Sequence, residues 1–134
     1  NAVGAEVSKA GMRFGFHNHA REFEKIEGEI MYDYMLKNTD PKLVVFEMDV
    51  YWVLKGGYNA VDYMKKYPNR FPVLHIKDEK EIGESGTIDF KPIFDTAYAN
   101  KVKEMYVEVE KYNFEPIVSV AKSFEYLAAA PYVK

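Results

Sequence analysis

The feature that most constrains the fold is the alternation of short apolar segments with segments of helical period. Each apolar segment ends in polar or charged residues, and its core is rich in β-branched and aromatic residues. The first three lack strict two-residue alternation, which is typical of strands covered on both faces. The four predicted strands are residues 12–19 (MRFGFHNH), 42–50 (KLVVFEMDV), 71–78 (FPVLHIKD) and 104–110 (EMYVEVE).

Segments with the three- and four-residue spacing of amphipathic helices follow the predicted strands. Asn59 and Asp89 stand at the start of two of them and are expected to act as N-caps. The last segment is the longest, and its apolar residues form one stripe at helical spacing: Ile117, Val120, Phe124 and Leu127. The predicted helices are residues 29–38, 58–67, 89–100 and 115–130, preceded by a helix fragment at about 5–11.

Four strand–helix repeats predict an α/β fold, because such alternation builds a parallel sheet with right-handed crossovers. We expect one domain, residues 1–134, containing a (βα)4 unit. A unit of this size forms either a small open sheet or half of an eight-unit barrel. The pattern alone leaves both architectures open.

Composition excludes several classes of function. The chain has 134 residues, is 48% hydrophobic and carries a net charge of −3, so it suits a globular domain and offers no basic surface to a nucleic acid. It has no cysteine, which excludes disulfides and thiolate metal sites. No apolar run approaches the roughly 20 residues that span a bilayer, and a cytoplasmic location is expected.

Polar side chains collect at the carboxyl ends of all four predicted strands, the edge at which parallel α/β proteins bind ligands. Taken singly, each has an ordinary alternative as a hydrogen-bonded histidine, a helix cap or half of a surface ion pair. Together, imidazole and carboxylate groups suit a divalent ion. Their coincidence at one edge therefore predicts a metal site. The residues are His17 and His19, Glu47 and Asp49, His75, and Glu108 and Glu110.

Five motifs occur in the order and spacing of the sugar phosphate isomerase/epimerase family, the xylose-isomerase-like TIM barrels, which the chain resembles from about Gly11 onward. The resemblance implies that the four repeats are the C-terminal half of such a barrel. It also implies an enzyme acting on a sugar or sugar phosphate. The motifs are FGFHNHAREF, FEMDVYWVLKGG, YPNRFPVLHIKD, GESGTIDFKPIF and YVEVEKY.

The resemblance implies a metal site formed by Asp49, His75 and Glu108, with Mn, Mg or Zn as the divalent ion. His17 stands where the ketose epimerases of the family have a metal-binding glutamate. Its role, as a ligand or as an acid/base on the substrate, stays open. Relatives often have a histidine where this chain has Trp52.

The reaction implied is isomerisation or epimerisation by removal of a proton next to a carbonyl, through an enediolate. Glu108 and His17 are the expected acid/base groups. For the residues expected to bind substrate, ordinary packing and surface ion pairing remain open as alternatives. These residues are His19, Trp52, Lys77 and Asp78.

Two other functions remain open. The same scaffold serves a dehydratase or lyase acting on keto-sugars or inososes, whose first step is the same proton abstraction. Alternatively, the chain is a non-catalytic, truncated half-barrel. In either case four repeats leave a barrel incomplete, so we expect self-association or a missing N-terminal half-barrel to cover the exposed strand edges. The sequence starts abruptly within a predicted helix, which favours a truncation.

Overall fold

The parallel sheet and its alternating helices are present as predicted. The computed structural model describes all residues, 1–134. Three short elements between the first strand and the first crossover helix, and an additional helix directly after Asp49, were not predicted. The elements are α1 Ala2–Lys9, β1 Phe14–His17, a 3-10 helix Ala20–Phe23, β2 Lys25–Ile26, β3 Glu29–Ile30, α2 Met31–Asn38, β4 Val44–Asp49, α3 Val50–Lys55, α4 Ala60–Lys66, β5 Val73–Lys77, α5 Phe90–Ala99, β6 Glu104–Glu108 and α6 Pro116–Ala129.

The main sheet has four parallel strands in the order β1-β4-β5-β6. Strands β2 and β3 form a separate antiparallel hairpin whose turn contains Gly28 at a φ of 89°. Such a left-handed conformation favours glycine. The order of the main sheet follows the chain, as successive βα units require, and confirms the expected (βα)4 architecture.

The hydrophobic core lies between the outer face of the sheet and the helices. A cluster of 20 buried residues includes Phe46 and Met48 of β4 and Leu74 and Ile76 of β5, all fully buried. Residues that alternate with these on the same strands point to the opposite face. That inner face carries the polar groups of the candidate site.

Predicted caps hold two of the helices in place. The side chain of Asn59 accepts a hydrogen bond from the backbone N–H of Val61 at 2.8 Å, and Asp89 accepts one from Lys91 N–H at 3.2 Å. Both caps satisfy backbone donors that the first helical turn leaves unpaired. The starts of α4 and α5 are therefore set by local sequence.

Helix α6 forms as predicted, but most of the apolar stripe that its sequence contains lies outside the core. Leu127 is buried, whereas Ile117 is 76% exposed, Val120 49% and Phe124 68%. The helix instead turns its serine side inward, and Ser119 and Ser123 are fully buried. The reason is polar: these serines hydrogen-bond the segment after β5, as described below.

No helix is both long and apolar enough to cross a membrane.

Candidate functional site

The register of the sheet brings the predicted site residues together. On neighbouring parallel strands, His17 lies beside Glu47, Asp49 beside His75, and Lys77 beside Glu108. Residues paired in this way share one face, so their side chains meet on the inner side at the carboxyl ends of the strands. The sequence expectation that these groups converge on one edge agrees with this geometry.

Asp49 is the most buried member of the site, with no exposed surface. Its Oδ1 accepts a hydrogen bond from Trp52 N–H at 2.9 Å and so caps α3. Its Oδ2 is buried and has no hydrogen-bond partner. That oxygen lies 3.6 Å from Nε2 of His17 and 3.5 Å from Nδ1 of His75. One carboxylate therefore anchors a helix with one oxygen and presents the other to two imidazoles.

Buried Asn18, which sequence reasoning missed, fixes the backbone of Asp49. Its Oδ1 accepts hydrogen bonds from Asp49 N–H at 3.1 Å and from the hydroxyl of Tyr32 at 3.1 Å. Its Nδ2 donates to Asp49 O at 3.3 Å. The position of Asn18, between two strand-end histidines, was the only signal in the sequence. The two hydrogen bonds between Asn18 and Asp49 hold the end of β1 in place against the end of β4.

The charge states of Asp49 and His75 are those of groups withdrawn from water. Burial raises the pKa of Asp49 to about 7, against the opposing effects of Trp52 N–H and the charge of Lys77. Burial also lowers the pKa of His75, although nearby Glu108 opposes the shift. In both residues the neutral form is favoured. A cation at this position would stabilise the ionised Asp49 and the neutral imidazole together.

Glu47 joins the site through His17. Its Oε2 lies 3.2 Å from Nδ1 of His17, and the same nitrogen lies 3.4 Å from Nδ1 of His75. His17, Glu47 and His75 therefore form a second group of possible metal ligands, next to Asp49, His75 and Glu108. Sequence reasoning placed Glu47 at this edge without assigning it a role. Its two-residue separation from Asp49 was the available signal, since it places both on the same face.

A buried lysine links the carboxylates of the last strand. Nζ of Lys77 donates to Oε2 of Glu108 at 2.7 Å and to Oε2 of Glu110 at 2.8 Å. Burial alone would lower the pKa of Lys77, but these two hydrogen-bonded carboxylates outweigh it and raise the pKa. The same oxygen of Glu108 lies 3.9 Å from Nε2 of His75. Lys77 thus holds Glu108 at the edge of the cluster.

His19 and Trp52 form an aromatic ledge beside the cluster. The ring of His19 lies 5.0 Å from that of His17 and 5.4 Å from that of Trp52, measured between centroids. His19 is exposed, and its backbone N–H donates to Glu22 at 2.6 Å. That these rings face a ligand stays a prediction.

Asp78 is placed differently from the other predicted substrate-binding residues. It is buried, its Oδ1 accepts from Glu79 N–H at 2.7 Å, and its Oδ2 accepts from Gly83 N–H at 3.0 Å. Both oxygens are engaged by the loop that follows β5. The geometry therefore favours a role in holding that loop over direct contact with substrate.

The donor set fits a divalent ion. The distances among Asp49 Oδ2 and the nearest ring nitrogens of His17 and His75 are 3.4–3.6 Å. No group donates a hydrogen bond to Asp49 Oδ2. An unpaired buried carboxylate oxygen is costly unless a cation or a proton compensates it. Nitrogen and oxygen donors suit Zn²⁺ or Mn²⁺. The residues present could thus hold a metal.

Comparison with known proteins identifies relatives of the same fold. Two solved structures of a sugar phosphate isomerase/epimerase from Parabacteroides distasonis match the chain with TM-scores of 0.92 and 0.95, each at 40% sequence identity. The matches cover 98% and 100% of this chain and 52% of each neighbour. No protein-family model matches the chain.

Curated relatives are named inosose dehydratases. Those from Clostridium perfringens and Clostridium beijerinckii are 29% and 28% identical across 100% of the chain, which covers 51% of each. The chain therefore spans about half the length of the curated relatives it matches. The resemblance to half of a sugar phosphate isomerase/epimerase, inferred from five motifs, is confirmed in sequence and in fold.

Proposed function

From this kinship with one half of the sugar phosphate isomerases/epimerases, we propose that the chain carries half of the active site of a divalent-metal enzyme acting on a sugar or sugar phosphate. The reaction is isomerisation or epimerisation by proton removal next to a carbonyl. The single observation that carries the proposal is the buried, unpartnered Oδ2 of Asp49, aimed at His17 and His75.

Asp49, His75 and Glu108 would hold the ion, since their ligand atoms lie within 4.8 Å of one another. When bound, the ion supplies Lewis acidity that stabilises negative charge on a carbonyl oxygen next to the reacting carbon. Burial lowers the pKa of His75 and so favours the neutral imidazole, the form that binds a metal.

Glu108 is the proposed base. Lys77 holds its Oε2, whereas its Oε1 has no hydrogen-bond partner and the side chain is partly exposed. A carboxylate fixed on one side and open on the other can accept a proton from a substrate carbon above the sheet. His17 is proposed either as a further ligand of the ion or as a second acid/base on the substrate, because its Nε2 lies 3.6 Å from Asp49 Oδ2 and an imidazole nitrogen can bind a metal or carry a proton.

The ledge of His19 and Trp52 is proposed to bind the apolar face of the sugar. Lys77, which is buried and bound to Glu108 and Glu110, is proposed to position Glu108 and not to contact substrate. Trp52 follows Asp49 by three residues, and its backbone N–H is bound by that carboxylate. Trp52 of the ledge and Asp49 of the metal site therefore belong to the same first turn of α3. Amphipathic rings of this kind serve both packing and polar contact.

We also propose that a second half-barrel covers the inner face, supplied by a further segment of a longer polypeptide, by a second copy of this chain or by a separate polypeptide. Strands β1 and β6 are the two ends of the sheet and pair on one side only. The chain spans 52% of its structural neighbours, and a complete barrel of eight units needs about 250 residues. The exposed stripe of α6 provides apolar surface for such a contact.

Metal analysis tests the site. After exposure to Mn²⁺ or Zn²⁺ and gel filtration, the wild-type chain should retain close to one ion per chain. An Asp49→Ala, His75→Ala double variant should retain almost none. Lys91→Ala with Asp95→Ala, which removes an exposed ion pair on α5, is the matched control and should behave as wild type. Equally low metal in all three proteins would refute the metal site and favour a non-catalytic half-barrel.

A second candidate reaction is dehydration, which the names of the inosose dehydratases favour. It shares the first step and differs in the loss of a hydroxyl as water. Incubation of keto-sugars and inososes with the metal-loaded protein in heavy water separates the two. Deuterium incorporation with the carbon skeleton and hydroxyls intact indicates epimerisation, whereas formation of an unsaturated product indicates dehydration.

A further inference from the structure

His17 and Glu47 are neighbours on adjacent strands of the sheet, and their side chains are in contact. These residues are register partners on β1 and β4, so the two backbones fix the separation of their side chains. Oε2 of Glu47 lies 3.2 Å from Nδ1 of His17. Both side chains are only partly exposed, 30% for Glu47 and 26% for His17. The backbone of the sheet therefore fixes this contact on the inner face.

Nδ1 of His17 has two neighbours able to accept a proton. One is the Glu47 carboxylate at 3.2 Å, and the other is Nδ1 of His75 at 3.4 Å. The carboxylate is closer and charged, and hydrogen bonds to charged acceptors are the stronger ones. The proton of a neutral His17 is thus expected on Nδ1, directed at Glu47.

This choice decides what the other ring nitrogen does. In a neutral imidazole only one nitrogen carries a proton, so a proton on Nδ1 leaves Nε2 with a free lone pair. Nε2 is the atom that lies 3.6 Å from the unpartnered Oδ2 of Asp49. Two acceptors facing each other repel unless a cation or a proton lies between them.

We propose that Glu47 is a positioning residue that sets the tautomer of His17 and so presents Nε2 to the cation site beside Asp49. The inference rests on the proposed metal site and adds His17 as a ligand whose orientation depends on an outer carboxylate. Such outer-shell partners fix the ring and raise the basicity of the coordinating nitrogen. Glu47 itself does not need to touch the ion or the substrate.

The experiment compares wild type with Glu47→Ala and Glu47→Gln in the ¹⁵N-labelled, metal-free chain. Long-range ¹H–¹⁵N correlation spectra identify the protonated nitrogen of each histidine. We expect the Nδ1–H tautomer for His17 in wild type, loss of that preference in E47A, and retention in E47Q, whose amide oxygen still accepts. Calorimetric titration with Mn²⁺ or Zn²⁺ should show about 10–100-fold weaker binding for E47A and partial recovery for E47Q.

Glu104→Gln is the matched control, because Glu104 lies at the opposite end of β6, where it pairs with Arg13 and Tyr106. It should leave both readouts unchanged. An Nε2–H tautomer for His17 in wild type, or an E47A protein with wild-type tautomer and affinity, would overturn the proposal. If the wild-type chain bound no cation, the metal site would fall, and the tautomer spectra would still decide the role of Glu47.

Discussion

The two carboxylate oxygens of Asp49 have different surroundings. Oδ1 caps α3 through Trp52 N–H, and Oδ2 faces His17 and His75 without a hydrogen bond. The cap explains why the residue can be fully buried, and the free oxygen explains why burial shifts its pKa so far. A residue of purely structural function would need only the first of these contacts.

The raised pKa of Asp49 predicts a dependence of stability on pH. Between the ordinary pKa of 3.8 and the folded value of about 7, the folded state binds more protons than the unfolded state. The free energy of unfolding therefore falls as pH rises through this range. The loss is on the order of a few kcal/mol, because each pKa unit corresponds to about 1.4 kcal/mol.

Asp49→Asn removes this titration, so the variant should gain stability over wild type as pH rises from about 4 to 7 in the presence of a chelator. Urea unfolding at several pH values measures the effect. Added Mn²⁺ or Zn²⁺ should stabilise wild type at neutral pH and leave the variant unchanged. Parallel pH profiles for the two proteins would contradict the burial argument.

Lys77 allows a second prediction. It is 1% exposed and is held by Glu108 and Glu110, which are 44% and 56% exposed. Lys77→Met should lower the free energy of unfolding by about 1–2 kcal/mol, less than for a fully buried pair, because water can solvate the two carboxylates left behind. Lys91→Met, which breaks an exposed pair with Asp95, should change the free energy of unfolding much less than Lys77→Met does. Equal effects in urea unfolding would argue against an internal role for Lys77.

A site residue could be predicted from the sequence where it combined a strand-end position with a place in a recognisable motif. Asp49, His75 and Glu108 stand at strand ends within motifs, and the structure brings them together. Glu47 and Asn18 have equally specific contacts, but each depends on a neighbouring strand whose register the chain does not reveal. A contact between neighbouring strands can be predicted only if their register is known. The hydrophobic pattern shows which residues share a face of the sheet, but it does not distinguish registers that differ by two residues.

Helix α6 shows how polar contacts can orient an element against its apolar pattern. Glu81 accepts hydrogen bonds from Ser119 Oγ at 2.5 Å and from Asn113 N–H at 2.9 Å. Ser123 Oγ accepts from Ile82 N–H at 3.0 Å. These contacts join the segment after β5 to the serine side of α6. The apolar stripe is consequently left on the outside.

Glu81→Ala should loosen α6 without unfolding the sheet. We expect faster amide hydrogen exchange over residues 113–127 and unchanged exchange in β4 and β5, because the variant removes the acceptor shared by Ser119 and Asn113. Glu125→Ala, on the exposed side of the same helix, is the control. Exchange rates in E81A equal to those of the control would show that other contacts dock the helix.

The elements themselves were largely predictable. Strand cores and the caps Asn59 and Asp89 agree with the chain's local pattern. Helix α3 was missed because Val50–Lys55 is short and continues the apolar run of β4 without a loop. The β2–β3 hairpin has only two residues on each strand, too few for any periodicity. The orientation of α6 could not be predicted, because helical spacing identifies an apolar side of a helix and does not say what covers that side.

For the whole molecule, the half-barrel exposes apolar residues on an edge strand and on a helix. Tyr106 and Val107 are exposed on the edge strand β6, and Ile117, Val120 and Phe124 are exposed on α6. Large exposed apolar areas of this kind mark contact sites or promote aggregation. An isolated chain is therefore expected to associate as its concentration rises.

Ile117→Glu with Phe124→Glu should suppress that association, because two charges within the contact carry a desolvation cost. Sedimentation velocity over a range of concentrations measures it, and the double variant should stay closer to the monomer than wild type. Tyr34→Glu changes another exposed apolar side chain, on α2, and should sediment as wild type does. A wild-type chain that is monomeric at every concentration would contradict the prediction.

The contact between Asp49 and the start of α3 also provides a way to observe the site. Trp52 is the only tryptophan of the chain, its backbone is bound by Asp49, and its ring lies 5.4 Å from that of His19. Its ultraviolet emission therefore comes from one known position beside the cluster. Titration with a metal ion or a sugar can be followed through that intrinsic fluorescence, with no label attached to the protein.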